Sequence, residues 1–286
     1  MIRRRSATHA GRMTTPFRLR PIPDSPASAL LGPDDPPAFT VLNPEALRPI
    51  LLVCDHASRA VPRALGSLGL DDAALSRHIA WDIGAAELTR RLADRLGAPA
   101  VLAGYSRLVI DVNRQPGDPQ SILAVSDGVV IPGNTALSDA AQEARAETFH
   151  WPYHHAVDQA FARLRRAGPE PLFFSVHTFT PSLGGTDRLW DLGVLWNRDP
   201  RIAVPLIEIL RETAGLHVGD NEPYSGKDIA YTLNLHAGAA GLAHCAIEVR
   251  QDHCETGFSL QRFADLLAGA LERILATPNV HRVEQF

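Results

Sequence analysis

A chain of 286 residues, 45% hydrophobic and 21% charged, holds enough apolar side chain for a substantial core. No stretch approaches the roughly 20 apolar residues of a membrane span, and the N-terminus lacks the apolar segment of a secretory signal. Charge is uneven: residues 1–23 hold six Arg and no acid, whereas the rest holds 22 basic and 32 acidic side chains, a balance of −10. An acidic body with no basic stripe, and an Arg-rich arm with no interleaved aromatics, argue against nucleic-acid and membrane partners. Three cysteines, at 54, 245 and 254, are odd in number and lack paired spacing, so a reducing, cytoplasmic setting is expected.

Residues 1–45, rich in Pro, Ser and Arg, read as a flexible arm before a single domain over 46–286. The apolar run 51–54 predicts a buried strand that stops at Asp55-His56. Asp71 or Asp72 caps a helix over 73–80, because a carboxylate there accepts from unpaired backbone N–H groups. Trp81-Asp82-Ile83-Gly84 interrupts or continues that helix, and 85–96 is a helix stopped by Gly97. Residues 98–103 and 107–112 read as strands. A Pro/Gly-rich loop from 115 to about 134 is too long for a plain connector. Ser138 or Asp139 opens a long helix ending near Gly168. Residues 172–176 form the expected central strand, 192–195 another, 203–214 a helix, 221–228 a loop, 244–249 a late core strand and 260–275 the closing helix; 229–238 is ambiguous. This alternation predicts an α/β three-layer sandwich with a mostly parallel mixed sheet. No Gly-rich phosphate loop follows any strand, so nucleotide binding has little support.

Three apolar runs end at residues able to bind a metal or move a proton: Cys54-Asp55-His56, Ser175-Val176-His177 and Ile247-Glu248-Val249-Arg250. Ligands of open α/β sheets bind beyond the carboxyl ends of the strands, so His56, His177 and Glu248 are expected on one rim. A hydrolytic zinc ion takes about three His or carboxylate ligands and leaves a position for water. His56 and His177 supply two. Asp82, at a break in the helical pattern beside Trp81 and Gly84, is the expected third, with Asp55 and Glu87 as alternatives. A carboxylate ending an apolar strand is costly without a partner or a function. Glu248 is therefore either a general base or the partner of Arg250. His150 and His154 have helical i,i+4 spacing but no Glu in an HExxH pattern; with His155 they read as surface or supporting residues. Asn113-Arg114 ends an expected strand, where a guanidinium offers a planar fork to a carboxylate; a salt bridge to Asp111 or Asp118 is the alternative. Arg107 carries the same ambiguity.

The segments Val53-Cys54-Asp55-His56-Ala57-Ser58, His78 to Gly84, Tyr105 to Arg114, Asn221 to Ser225 and Ile247 to Gln251 together resemble the N-formylglutamate amidohydrolase family, over roughly residues 48–276. That resemblance implies hydrolysis of an N-formyl or related N-acyl amino acid, giving formate and glutamate in the namesake, and a fold similar to the zinc carboxypeptidases and aspartoacylases. It implies a divalent metal, zinc, on His56, Asp82 and His177, with Glu248 as general base. Substrate would be held by Asn113, Arg114, Arg107 and Arg250. Where those enzymes carry a Glu three residues after the first His, this chain has Arg59, which is expected to stabilise an oxyanion. Two other readings compete: nucleophilic catalysis by Cys54 or Ser175 with a His base, though without a Gly-x-Ser-x-Gly context, and a non-catalytic small-molecule binder on the same fold.

Overall fold

The computed structural model describes residues 30–213 and 215–286; the Arg-rich part of the expected arm lies outside the described residues. Seven strands form one sheet: β1 (Phe39–Leu42), β2 (Ile50–Cys54), β3 (Ala100–Ala103), β4 (Leu172–Phe179), β5 (Leu192–Leu195), β6 (Val218–Asp220) and β7 (His244–Arg250). Their order is β1-β3-β2-β4-β7-β5-β6. The central four, β3-β2-β4-β7, are mutually parallel. β5 runs antiparallel to β7 and pairs in parallel with β6, while β1 closes the other edge antiparallel to β3. The fold is α/β with a mostly parallel mixed sheet. The folded body begins earlier than composition suggests, because residues 39–42 lie inside the expected arm yet hydrogen-bond to β3.

Helices cover both faces. Ile50, Leu52, Cys54, Val176 and Ile247 pack against α2 (Ala85–Leu96), α5 (Pro200–Arg211) and α7 (Gly257–Leu275). α7 buries Leu260, Phe263, Ala264, Leu267, Leu271 and Ile274, a helical stripe, and starts where Thr256 accepts from the Ser259 N–H. α5 starts at Pro200, behind the capping carboxylate of Asp199, three residues ahead of the expected start. The opposite face, with Leu51, Val53, Phe173 and Ala246, packs against α4 (Trp151–Ala167) and α6 (Tyr231–His236). α6 settles the ambiguous segment as helical. The long helix expected from Ser138 is α3 (Asp139–Arg145), a π-turn over Ala146–His150, and then α4.

Residues 107–112 are turns, not a strand. The Ser106 hydroxyl accepts from the Leu108 N–H, and the Ser121 carbonyl accepts from the Asp111 N–H, so the backbone bonds close locally. Leu108, Val109 and Ile110 are apolar because they bury in a third cluster with Ile79, Tyr105 and Phe149. The expected helix over 73–80 is one turn, α1 (Asp72–Leu75), capped by Asp71.

Candidate active site

His56 leaves β2 in a turn whose carbonyl accepts from the Asp82 N–H at 3.0 Å. Asp82 stands just before α2, and the Thr178 hydroxyl donates to the neighbouring Ile83 carbonyl at 2.8 Å. The turn needs Gly84: its φ is +87°, and a Cβ there would lie 2.4 Å from the Cys254 Cβ. His177 and Glu248 are register partners on β4 and β7. A cavity of about 230 Å³ opens over these strand ends, lined by His56, Asp82, His177 and Glu248 among others.

Asp82 Oδ2 lies 3.3 Å from His56 Nδ1 and 2.8 Å from His177 Nδ1. One ligand atom from each of the three buried residues falls within 4.8 Å of the other two. Metal bonds of about 2.0–2.2 Å in tetrahedral geometry place donors about 3.4 Å apart, so the spacing fits a zinc-sized cation. Hydrogen bonding at the far side of each ring points the same way. His56 Nε2 lies 2.8 Å from Asp111 Oδ1, and His177 Nε2 lies 3.2 Å from Asp55 Oδ2. An Nε2–H donated to a carboxylate leaves the Nδ1 lone pair facing Asp82, acceptor against acceptor. A metal cation or a proton between them satisfies that arrangement, and Arg107 Nη1 also reaches His56 Nδ1 at 3.4 Å.

The electrostatics follow from that crowding. Burial opposes charge on His177, but hydrogen bonds to Asp55 and Asp82 override it and hold its pKa well above the usual value. Burial would raise Asp82 and Asp111; His56 and His177 beside the first, and Arg107 and His56 beside the second, keep both far below the ordinary carboxylate range. Asp55 is held at about 2, with burial outweighed by His177, His56 and the Tyr153 hydroxyl. Glu248 behaves in the opposite sense. Burial, with Asp82 adding, pushes it up to about 7 against the pull of His177, His56 and Arg107. Its Oε2 is buried without a hydrogen-bond partner among the described residues.

Arg107 lines the same cavity, its Nη2 donating to Asp111 Oδ2 at 2.7 Å and its Nη1 3.8 Å from Asp82 Oδ1. The Arg114 side chain lines the cavity half-buried, with no ion pair or hydrogen bond among the described residues. Its backbone is held from behind: His150 Nε2 donates to the Arg114 carbonyl at 3.0 Å and His154 Nε2 to the Val112 carbonyl at 2.8 Å. Between them, Asn113 Oδ1 accepts from the Thr232 N–H of α6 at 3.0 Å.

Several expected residues are elsewhere. Arg59 does not line the cavity; its side chain is 43% exposed and bonded to Asp72 of α1 and to Ser76 just after it. Arg250 does not line the cavity either: Asp252 at 2.9 Å and Asp191 at 3.2 Å hold it, and it does not pair with Glu248. Glu87 pairs with Arg91 on the outer face of α2, and Asp55 stands behind His177 rather than beside Asp82. The Cys54 thiol is fully buried and burial pushes its pKa well up, which disfavours a thiolate. Sequence reasoning missed Asp111 as the carboxylate behind His56. The i,i+4 spacing of Arg107 and Asp111 was the available signal, hidden by reading the segment as a strand. Tyr153 and Thr232, whose hydroxyls hold Asp55 at 2.8 and 2.9 Å, carried no signal at all.

An α/β sheet whose strand ends gather two histidines and several carboxylates around one cavity is an architecture suited to hydrolysis. The family model for N-formylglutamate amidohydrolase matches residues 48–254, and the chain belongs to that family. A gene product of Agrobacterium tumefaciens of known crystal structure is 34% identical, with a TM-score of 0.83 over 86% of this chain and 98% of its own. The N-formylglutamate amidohydrolase of Ralstonia eutropha JMP134 shares the fold at 19% identity, with a TM-score of 0.60 over 83% of this chain and 97% of its own. No curated protein matches the chain. Among the described residues no helix is long and apolar enough to cross a membrane.

Proposed function

We propose that the protein is a metal-dependent amidohydrolase that cleaves the amide of a small N-acyl amino acid, as in the conversion of N-formylglutamate to formate and glutamate. The observation that supports this reading is the pair of Nδ1 atoms turned onto Asp82, with one ligand atom from each of the three buried residues within 4.8 Å of the other two. His56, Asp82 and His177 would hold the metal, most simply zinc; bound there, it would acidify a water molecule and polarise the amide carbonyl. Glu248, buried and unpartnered at Oε2, would take a proton from the attacking water and give it to the departing amine nitrogen. Asp111 and Asp55 fix the orientation of the two rings. Arg107, already matched to Asp111, supplies positive charge where the carbonyl oxygen becomes anionic. Arg114, unpaired and half-buried, holds the substrate α-carboxylate, and Asn113 fixes the segment that carries it.

A second reading rests on one distance: Ser175 Oγ lies 3.0 Å from His177 Nε2, whose other nitrogen faces Asp82. That order is the order of a serine nucleophile, its base and an orienting acid. Removing metal separates the two. Dialysis against a chelator is expected to abolish formate release from N-formyl amino acids, with zinc restoring it, and His177→Ala is expected to lose bound metal while remaining folded. Full activity in metal-free protein, abolished by Ser175→Ala, would instead establish the serine mechanism.

A further inference from the structure

We infer that the amino acid released by this enzyme carries an apolar, uncharged side chain, which the protein holds in a lobe of the cavity walled by Leu195, Ile229, Ala230, Leu233 and Ala246. The inference rests on the amidohydrolase reading, with Arg114 as the α-carboxylate partner, and departs from the glutamate of the family name.

The sheet register builds the floor of this lobe. On β7, Ala246 lies two residues before Glu248 and so faces the same side of the sheet. Its register partners are Ser175 on β4 and Leu195 on β5. Below the catalytic row of His177 and Glu248 there is therefore a second row, Ser175, Ala246 and Leu195. Ser175 has its hydroxyl engaged by His177 and Asp55, leaving the row apolar toward the cavity. Leu233 of α6 and Ala230 at its start form the adjoining wall, both in the apolar cluster that contains Leu195 and Ala246.

The same helix fixes where the substrate lies. The Thr232 N–H on α6 binds Asn113 Oδ1, so the carboxylate clamp and the apolar wall are neighbours. In an N-acyl amino acid the α-carboxylate and the side chain leave the same carbon. A carboxylate held at Arg114, which lines the same cavity as Ala230 and Leu233, would let the side chain lie against α6.

Charge matching disfavours a second carboxylate there. Of the cavity's other cationic side chains, Arg107 is paired with Asp111, His78 lies 3.6 Å from Asp127, and His56 and His177 face Asp82. Arg114 is the one cavity-lining guanidinium without an acid among the described residues, and every N-acyl amino acid already brings one carboxylate to it. Arg188 also lacks an acid, but it stacks on Tyr224 and Phe179, donates to the Tyr224 hydroxyl at 2.8 Å and does not line the cavity. A γ-carboxylate in the lobe would be desolvated and unpaired.

The test is a specificity panel on zinc-loaded full-length enzyme, reading formate release from N-formyl derivatives of Gly, Met, Leu, Gln and Glu. The expected result is kcat/KM for the Met or Leu derivative about 100-fold or more above that for Glu. Ala246→Leu is expected to lower the Leu-to-Gly ratio of kcat/KM about tenfold or more by filling the lobe. Glutamate turned over as well as methionine would overturn the inference while leaving the amidohydrolase reading intact, and a glutamate preference erased by Arg188→Gln would move the side chain to the mouth of the cavity. No formate from any derivative, with metal bound, would overturn both readings together.

Discussion

The two faces of one sheet differ in what their side chains leave unfinished. Beneath α2, α5 and α7 the strands present Leu52, Cys54, Val176 and Ile247, all fully buried and all apolar. On the other face the same strands begin apolar, with Leu51, Val53 and Phe173, and end in Asp55, His177 and Glu248. The first face is complete in itself and contributes stability. The second carries buried charge whose geometry is satisfied except at the Asp82 junction and at Glu248 Oε2. Alternation along a strand lets one chain segment serve both purposes, because successive residues point to opposite sides.

Substitutions on the two faces should therefore separate activity from stability. The largest effect is expected from Glu248→Gln, which should lower kcat about 10²–10⁴-fold with metal content unchanged. It removes a desolvated carboxylate, so thermal unfolding should show no loss of stability; near-normal turnover would return Glu248 to a structural role. Leu271→Ala, on the apolar face, should show the reverse: a loss of about 2–5 kcal/mol in denaturant unfolding with kcat of the folded enzyme unchanged. A large kcat change there would mean that the faces are coupled. Arg114→Lys should raise KM for α-carboxylate substrates about tenfold to a hundredfold while sparing substrates amidated at that group. Equal losses on acid and amide would show that Arg114 does not read the carboxylate.

The smallest effect is a slope in pH. Burial, helped by His150 and His236, pushes His154 down to about 3, and burial pushes His150 down to about 4. The unfolded chain takes up these protons near pH 6.5 and the folded chain does not. Stability from this source is thus complete above pH 6.5 and is lost as pH falls from there toward 3. His154→Gln keeps an amide donor for the Val112 carbonyl and removes one titration. The pH dependence of unfolding free energy should flatten by up to about 1.4 kcal/mol per pH unit between roughly 6 and 4. Superimposable pH curves for the two proteins would contradict the buried neutral ring.

The central sheet was legible because β2, β4 and β7 each contain a short apolar run, Ile50–Cys54, Leu172–Phe174 and Cys245–Ile247, that gives way to polar residues. His56, His177 and Glu248 stand where those runs stop, and the structure brings all three to one cavity. The edge strands β1 and β6 were not legible. With four and three residues, partly exposed, they have too little alternation to stand out from loop. Asp111 was obscured for a different reason: its apolar neighbours bury through turns, and periodicity does not distinguish a buried turn from a strand. Arg59 and Arg250 show the limit of proximity in sequence, since each sits within three residues of a site residue and is captured by a surface acid instead.

The π-turn over Ala146–His150 gives the α3–α4 connection an arithmetic meaning. A π-turn holds one residue more than the α-helical turn it replaces. Each helical residue advances about 100° around the axis, so removing one residue would rotate all of α4 by that angle relative to α3. Arg145, ahead of the turn, would keep its grip on the Val109 carbonyl, while His150 and His154, in and beyond it, would swing away from the Arg114 and Val112 carbonyls. The number of residues in this turn thus sets the phase between the frame that holds the loop and the guanidinium that the loop presents. A single deletion there would detune the cavity without touching any residue that lines it.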